Sequence, residues 1–315
     1  MTATLAAWSL VGVYSAAAVY LIAFVMFAVD LAKRSDEAPV EVASAAATRH
    51  GGSVLVEAPA APPAVESGSR SARVALALTA VGLAVHTAAI VLRGVAAERV
   101  PWANMFEFAL TGTGIIVAVF VFANLWKDLR FLGAYVTGLV VLLLTAATVN
   151  FYVDVVPLPP PLQSAWLVIH VLVAIIGTGF FALGAGLSIV QLIQSRREAG
   201  KITRAGFLRT VPSSTVLERL AYRVNVIGFV LWTFTLICGS IWAERAWGRY
   251  WGWDTKEVWT FVIWVVFAGY IHARATRGWR GSRSAILAII GFAAVLFNFT
   301  IVNLFFKGLH AYSGL

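Results

Sequence analysis

Long apolar runs separated by short polar segments dominate this sequence. Eight runs are long enough to cross a bilayer as helices, which takes about 20 residues. They cover approximately 8–30, 74–92, 106–126, 131–151, 165–194, 222–243, 258–273 and 284–306. The runs lack the polar–apolar alternation of a membrane β-barrel, and lipid tolerates only helices or closed barrels. The pattern therefore predicts an all-α polytopic membrane protein with about eight transmembrane helices.

The distribution of positive charge predicts the orientation of these helices. Lysine and arginine total 24, and alternate loops divide them into a set of 18 and a set of 6. Because basic loops stay in the cytoplasm, the larger set is predicted to face inward and both termini to lie on the extracytoplasmic side. Loop topology therefore explains the net charge of +9 without a nucleic-acid partner, and the basic loops would meet lipid headgroups.

A polar segment divides the chain unevenly. Residues 32–73 are rich in Ala, Ser, Gly, Pro and Glu, a composition typical of disordered segments. They are predicted to form a disordered cytoplasmic linker between a first transmembrane helix at 1–31 and a transmembrane core at 74–315. The first apolar run has no basic residue before it and is long enough to span, so a cleaved signal peptide is not expected.

One predicted outer loop, residues 244–259, concentrates aromatic and charged side chains. Its notable members are Trp247, Arg249, Tyr250, Trp251, Trp253, Asp254, Lys256, Glu257 and Trp259. Flat aromatic faces beside charges suit a large, planar and partly charged ligand. The alternative is an ordinary belt of interfacial aromatic residues, which explains scattered tryptophans but not so dense a cluster.

Two histidines are predicted to lie on the same face as this loop. His170 lies at the outer end of the fifth span, and His310 lies just beyond the eighth. Two imidazoles can hold a haem iron from opposite sides. The sequence therefore predicts an outer haem site, in which the tryptophans stack on the porphyrin and Arg249 or Lys256 pairs with its propionates.

Two more histidines, His86 and His272, fall inside the second and seventh spans. An ionisable group inside a membrane is costly and is first treated as functional. A second bis-histidine site within the membrane is one hypothesis, and a neutral histidine bonded to a neighbouring helix is the other. Their depths differ, at roughly 20 Å and roughly 10 Å from the inner edge of the membrane.

Smaller signals complete the pattern. Asn104 is expected to cap the third helix, whose first turn carries Glu107. Cys238 is the only cysteine and lies in an apolar run, so an intrachain disulfide and a Cys-x-x-Cys redox site are excluded.

Several motifs together resemble a known family. The central one reads Trp247-Gly-x-Tyr250-Trp251-x-Trp253-Asp254-x-Lys256-Glu257-x-Trp259, followed by Tyr270-x-His272-x-Arg274. The others are Pro101-x-x-Asn104-x-x-Glu107, Leu162-Gln163-Ser164-x-Trp166-Leu167-x-x-His170 and Gly308-Leu309-His310-x-Tyr312. They resemble the tryptophan-rich (WWD) haem-handling proteins of cytochrome c biogenesis, specifically the CcsA/ResC branch of System II.

The resemblance implies a function and a set of partners. Haem b would cross the membrane held by His86 and His272, and would then be held outside by His170 and His310 against the tryptophan-rich loop. The chain would be the haem-handling subunit of a cytochrome c synthase, with a ResB-like membrane partner. The acceptor would be an apocytochrome c with a Cys-x-x-Cys-His motif, whose thiols are kept reduced by separate proteins. A bacterial plasma membrane or a thylakoid-type membrane is expected.

Three alternatives remain open at this point. A System I relative would deliver haem to a chaperone and shares only the tryptophan-rich loop. A b-type electron-transfer subunit would also use bis-histidine sites, but with permanent haems. A small-molecule transporter would use the aromatic residues as a gate and would bind no haem.

Overall fold

The described part of the chain is helical. A computed structural model describes residues 2–37, 69–156, 163–202, 206–276, 278–306 and 308–310. Within these ranges the α-helices are α1 (Thr2–Glu37), α2 (Arg70–Ala97), α3 (Met105–Ala123), α4 (Gly133–Phe151), α5 (Ala165–Glu198), α6 (Ser214–Trp247), α7 (Thr255–Thr276), α8 (Ser282–Phe299) and α9 (Ile301–Phe305). Short 3-10 turns occupy Arg130–Leu132 and Gly206–Thr210.

The prediction of eight membrane-spanning helices is confirmed. Eight of the described helical segments are long and apolar enough to cross a bilayer, with α8 and α9 counted as one span interrupted at Thr300. α5 and α6 have 34 residues each. At 1.5 Å per residue each is about 50 Å long, which exceeds the roughly 30 Å hydrocarbon core, so both helices extend into the aqueous phase.

The predicted linker at 32–73 is helical at both of its ends. α1 continues to Glu37, and α2 begins at Arg70 after Ser69, whose hydroxyl accepts a hydrogen bond from Ala72. Ser69 and Ser71 both donate to the buried carboxylate of Asp30, and these bonds join the end of α1 to the start of α2. The prediction of disorder for the rest, 38–68, lies outside the described residues.

Helix packing depends on small residues placed opposite aromatic rings. α1 packs along α2, and α5 packs along α6. Gly82 of α2 accommodates the ring of Tyr20, since a Cβ there would lie 2.6 Å from a ring carbon. In the main core, Phe181 of α5 stacks on Phe267 of α7 with ring centroids 3.7 Å apart. Inside a bilayer the hydrophobic effect does not drive helices together, so close packing between them supplies the energy of association.

The helices alternate in direction, which gives the bundle two distinct ends. The tryptophan end is defined here by residues 98–104, 152–156, 248–254 and 308–310, and the basic end by residues 124–129, 199–202 and 278–281. Residues 308–310 lie at the tryptophan end, and the placement of both termini on one side of the membrane stays a prediction. That this side is extracytoplasmic stays a prediction from the positive charges.

Candidate functional site

A cavity of about 220 Å³ lies at the tryptophan end of the bundle. Its wall is formed by residues of the seven helices α3 to α9 and of the loops before α3 and α7, together with His310. Most of the wall is apolar, and a few polar groups converge on it: His170, His310, Lys256, Glu257, Asn298 and Asn303. An apolar cavity with a few placed polar groups is the usual form of a ligand site.

His170 reaches this cavity from the second turn of α5. The helix begins after Ser164, whose hydroxyl accepts from the Trp166 amide at 3.2 Å. The His170 Nδ1 donates to the carbonyl of Thr235 on α6 at 2.9 Å. Because Nδ1 holds the proton in this bond, Nε2 keeps its lone pair, and it has no hydrogen-bond partner among the described residues. Gly239 leaves room for the ring, since a Cβ there would lie 2.7 Å from the His170 Cε1.

His310 is held in a similar way by a carboxylate. Its Nδ1 donates to Asp254 Oδ2 at 2.9 Å, and its backbone amide donates to the same oxygen at 3.1 Å. The hydrogen bond from His310 lowers the pKa of the Asp254 carboxyl from 3.8 to about 2, so the carboxylate is ionised at neutral pH. Within the described ranges the Nε2 of His310 also lacks a hydrogen-bond partner. Imidazoles that bind metals are commonly oriented by such a bond at the other nitrogen.

Asp254 also starts helix α7. Its Oδ1 accepts from the Lys256 amide at 3.3 Å, and Glu257 Oε2 accepts from the Asp254 amide at 3.1 Å. These reciprocal bonds form a capping box, which satisfies amides that a helix start leaves free. The same aspartate therefore fixes both the helix start and the imidazole of His310.

Trp242 of α6 joins the two imidazoles. Its ring stacks on His170, with centroids 5.9 Å apart and planes 16° apart, and meets His310 edge-on at 5.5 Å. Trp247 lies 4.7 Å from Trp242 and 4.8 Å from His310. The sequence reasoning missed Trp242 because it lies inside an apolar run. The available signal was helical spacing: Thr235, Gly239 and Trp242 occupy one face of α6.

The other predicted aromatic residues divide into two groups. Trp251 and the exposed Tyr250 line the cavity. Trp253 is 75% exposed, has a positive φ of 60° and does not line the cavity. Trp259 packs on Phe297 of α8, with ring centroids 4.3 Å apart, and also lies outside the cavity wall.

Of the two cations predicted to pair with propionates, one lines the cavity and the other does not. Lys256 lines the cavity, and its Nζ donates to the Asn298 carbonyl at 2.9 Å and to Asn303 Oδ1 at 2.6 Å. The guanidinium of Arg249 lies 3.7 Å from Glu257 Oε1 and is not part of the wall. Lys256 is therefore the cation that the structure brings to the cavity.

The structure does not bring His86 and His272 together. His86 is fully buried, donates from Nε2 to the Leu110 carbonyl at 2.9 Å, and has Nδ1 3.2 Å from the Tyr20 hydroxyl. Both of its ring nitrogens are thus occupied by α1 and α3, which matches the alternative of a histidine bonded to neighbouring helices. His272 is exposed on α7, near the basic end.

A buried ion cluster holds the loop before α3. Glu107 is fully buried and accepts from Arg93 at 3.0 Å, from Arg99 at 2.7 Å and from the Ala103 amide at 2.9 Å. Asn104 caps α3 as predicted, with its side chain accepting from the Glu107 amide at 2.9 Å. The loop carries Trp102, a cavity-wall residue that the sequence reasoning also missed.

Comparisons with known proteins identify the family. The family described as "Cytochrome C assembly protein" matches residues 102–310. The cytochrome c biogenesis protein CcsA of Guillardia theta is 33% identical over 252 residues, covering 74% of this chain and 84% of that protein. CcsA of Synechococcus sp. (strain CC9902) is 33% identical over 287 residues, covering 82% of this chain and 92% of that protein.

A solved structure shares the fold. The cytochrome c haem lyase CcmF superposes with a TM-score of 0.66 at 15% identity, covering 94% of this chain and 46% of that one. This chain therefore spans about half the length of CcmF. Because the family matches more than half of its residues and CcsA relatives align along most of its length, the chain belongs to the CcsA branch of the cytochrome c assembly protein family.

Proposed function

We propose that this protein binds haem b as a substrate in the cavity at the tryptophan end and presents it to apocytochrome c for covalent attachment. One observation carries the proposal: His170 and His310 line one cavity, each with Nδ1 anchored by an acceptor and with Nε2 unpartnered among the residues that the structure describes. That is the state of an imidazole ready to bind iron axially.

The remaining wall suits the rest of a haem. Trp242 and Trp251 line the cavity, and Trp242 lies within 6 Å of both imidazoles. Trp247 is outside the wall and packs against His310 with ring centroids 4.8 Å apart. Indole faces stack on planar π-systems. Lys256 has three N–H donors and uses two of them on Asn298 and Asn303, so it has one left for a propionate.

The chemistry of attachment needs thiols that this chain does not supply. Two acceptor thiols add across the haem vinyl groups, each sulfur bonding one carbon and each thiol hydrogen ending on its neighbour, without an oxidant. Cys238, the only cysteine, lies within α6. The chain is therefore proposed to work as the haem-handling subunit of a synthase in the bacterial plasma membrane. Its partners would be a ResB-like protein, an apocytochrome c with Cys-x-x-Cys-His, and separate thiol-reducing proteins.

Passage of haem across the membrane through His86 and His272 is a further part of the hypothesis. It requires His86 to release the Leu110 carbonyl and the Tyr20 hydroxyl. It also requires the exposed His272 to face haem from α7. A b-type electron-transfer subunit would need a second pair already assembled, and the described residues bring together only His170 and His310.

An absorption spectrum of the detergent-purified protein, produced with a ResB-like partner, tests the proposal. The wild type is expected to carry low-spin bis-histidine haem, and His170→Ala combined with His310→Ala is expected to lose it together with cytochrome c maturation. His50→Ala, in the linker sequence, is the control for removal of an imidazole. Full maturation by the double variant would refute the proposed site.

A further inference from the structure

Two indole N–H groups belong to residues of the cavity wall and find no acceptor in the part of the chain that the structure describes. The Nε1 atoms of Trp102 and Trp251 are buried, and neither has a hydrogen-bond partner among the described residues. An indole nitrogen can only donate, and buried polar atoms without partners are uncommon in folded proteins. The pair therefore indicates a ligand with at least two acceptor groups at the cavity.

The same local structure holds both tryptophans. Beside Trp102, the Ala103 amide donates to the Glu107 carboxylate at 2.9 Å; beside Trp251, the Gly252 amide donates to the Glu257 carboxylate at 2.8 Å. Each glutamate is the third residue of a helix, α3 or α7, and each is buried.

Each of the two glutamates, Glu107 and Glu257, also has an arginine beside it. Glu107 is bonded to Arg99 at 2.7 Å, and Glu257 lies 3.7 Å from Arg249. Two loops far apart in sequence thus fix an indole at the same cavity by equivalent buried carboxylates. Such support sets the position of a binding group before the ligand arrives.

We infer that Trp102 and Trp251 donate hydrogen bonds to the two carboxylates of the haem, and so decide which edge of the porphyrin enters the cavity. The inference rests on the proposed function. A carboxylate is an acceptor only, and haem carries two on one edge. With that edge bound by the indoles and by Lys256, the vinyl groups lie on the other side of the ring, where acceptor thiols approach.

Two porphyrins that differ only in these carboxylates test the inference. Mesohaem and iron etioporphyrin III share ring, iron and alkyl groups, but etioporphyrin has ethyl groups where mesohaem has propionates. Their dissociation constants would be measured with the detergent-purified, partner-bound complex after haem removal. The proteins are the wild type, Trp102→Phe, Trp251→Phe and, as a control, Trp259→Phe, which changes an indole outside the cavity wall.

The wild type is expected to prefer mesohaem, and each cavity variant to lose about tenfold of that preference, because hydrogen bonds to charged groups are the stronger ones. Any lost stacking on the ring weakens both porphyrins alike, so the ratio of the two dissociation constants is the readout, and retained binding of iron etioporphyrin verifies that the variants are folded. The control should keep the full preference. An unchanged preference in both cavity variants, with mesohaem still bound through His170 and His310, overturns this inference alone. Failure of the wild type to bind either porphyrin overturns the proposed function as well.

Discussion

A single methyl group at Gly239 is expected to disable His170 as an iron ligand. An alanine Cβ at this position would lie 2.7 Å from Cε1 and 2.8 Å from Nδ1 of the imidazole. Carbon atoms in contact need about 3.5–4.0 Å, so the ring must move by about 1 Å. The movement is directed away from α6, and it breaks the 2.9 Å hydrogen bond to the Thr235 carbonyl that orients Nε2.

The expected loss of haem affinity is about tenfold or more, because binding groups tolerate displacements of only about 0.5 Å. Helix stability should change in the opposite sense, since alanine is favoured over glycine by about 1 kcal/mol inside a helix. Reduced haem occupancy without a matching loss of helical content would therefore separate ligand displacement from misfolding. Haem titration followed by absorption, and circular dichroism of the same samples, measure the two quantities.

Gly269→Ala on α7 is the matched control. It also replaces a helical glycine in a membrane span, but a Cβ there has nothing within 4 Å. Its haem spectrum and affinity should equal those of the wild type. If Gly239→Ala kept the bis-histidine spectrum with an affinity within about twofold of the wild type, His170 would not be the ligand, and the reasoning would fail.

Three further substitutions test the surroundings of the site. The pKa of Asp254 is about 2, so its carboxylate holds His310 at neutral pH and loses this contribution only as the pH falls toward 2. Asp254→Asn should therefore weaken haem binding at pH 7 by about 10–100-fold. Asp128→Asn, which changes an exposed carboxylate, should leave haem binding unchanged. Glu107→Gln leaves its arginine partners without a buried anion and should destabilise the protein by about 3–5 kcal/mol in denaturation experiments; an unfolding midpoint equal to that of wild type would contradict the role of this cluster. His86→Leu should cost about 1–3 kcal/mol of stability and leave the affinity of the purified protein for added haem unchanged, because His86 lies outside the cavity wall. Protein produced in cells should carry less haem, since haem is proposed to pass His86 on its way to the cavity, and an undiminished haem content would contradict that route.

The fold was predictable because lipid leaves the chain so few options. Continuous apolar runs of this length have only the helix as a solution, and the structure has helices at all eight of them. Placing His170 and His310 on one face required only the alternation of helix direction. The tryptophan-rich loop was prominent because its composition has no ordinary structural explanation.

The parts that escaped prediction depend on side-chain direction. Trp242 and Trp102 look like ordinary apolar and interfacial residues until the helices are packed, and only then do they face the cavity. Trp259 shows the reverse case, because it belongs to the aromatic cluster in the sequence but packs against Phe297 of α8 instead of lining the cavity. His86 and His272 share a membrane location without sharing an interface, and a one-dimensional pattern does not specify which helices are neighbours.

The two imidazoles differ in how they are attached, and this has a kinetic consequence. His170 belongs to a 34-residue helix that packs along α6, so it moves only if that helix moves. His310 follows the short helix α9, and within the described ranges its hydrogen bonds are the two to Asp254. Ligand exchange at a bound iron should therefore begin on the His310 side, and the order of events during handover would be decided by the stiffness of the two attachments.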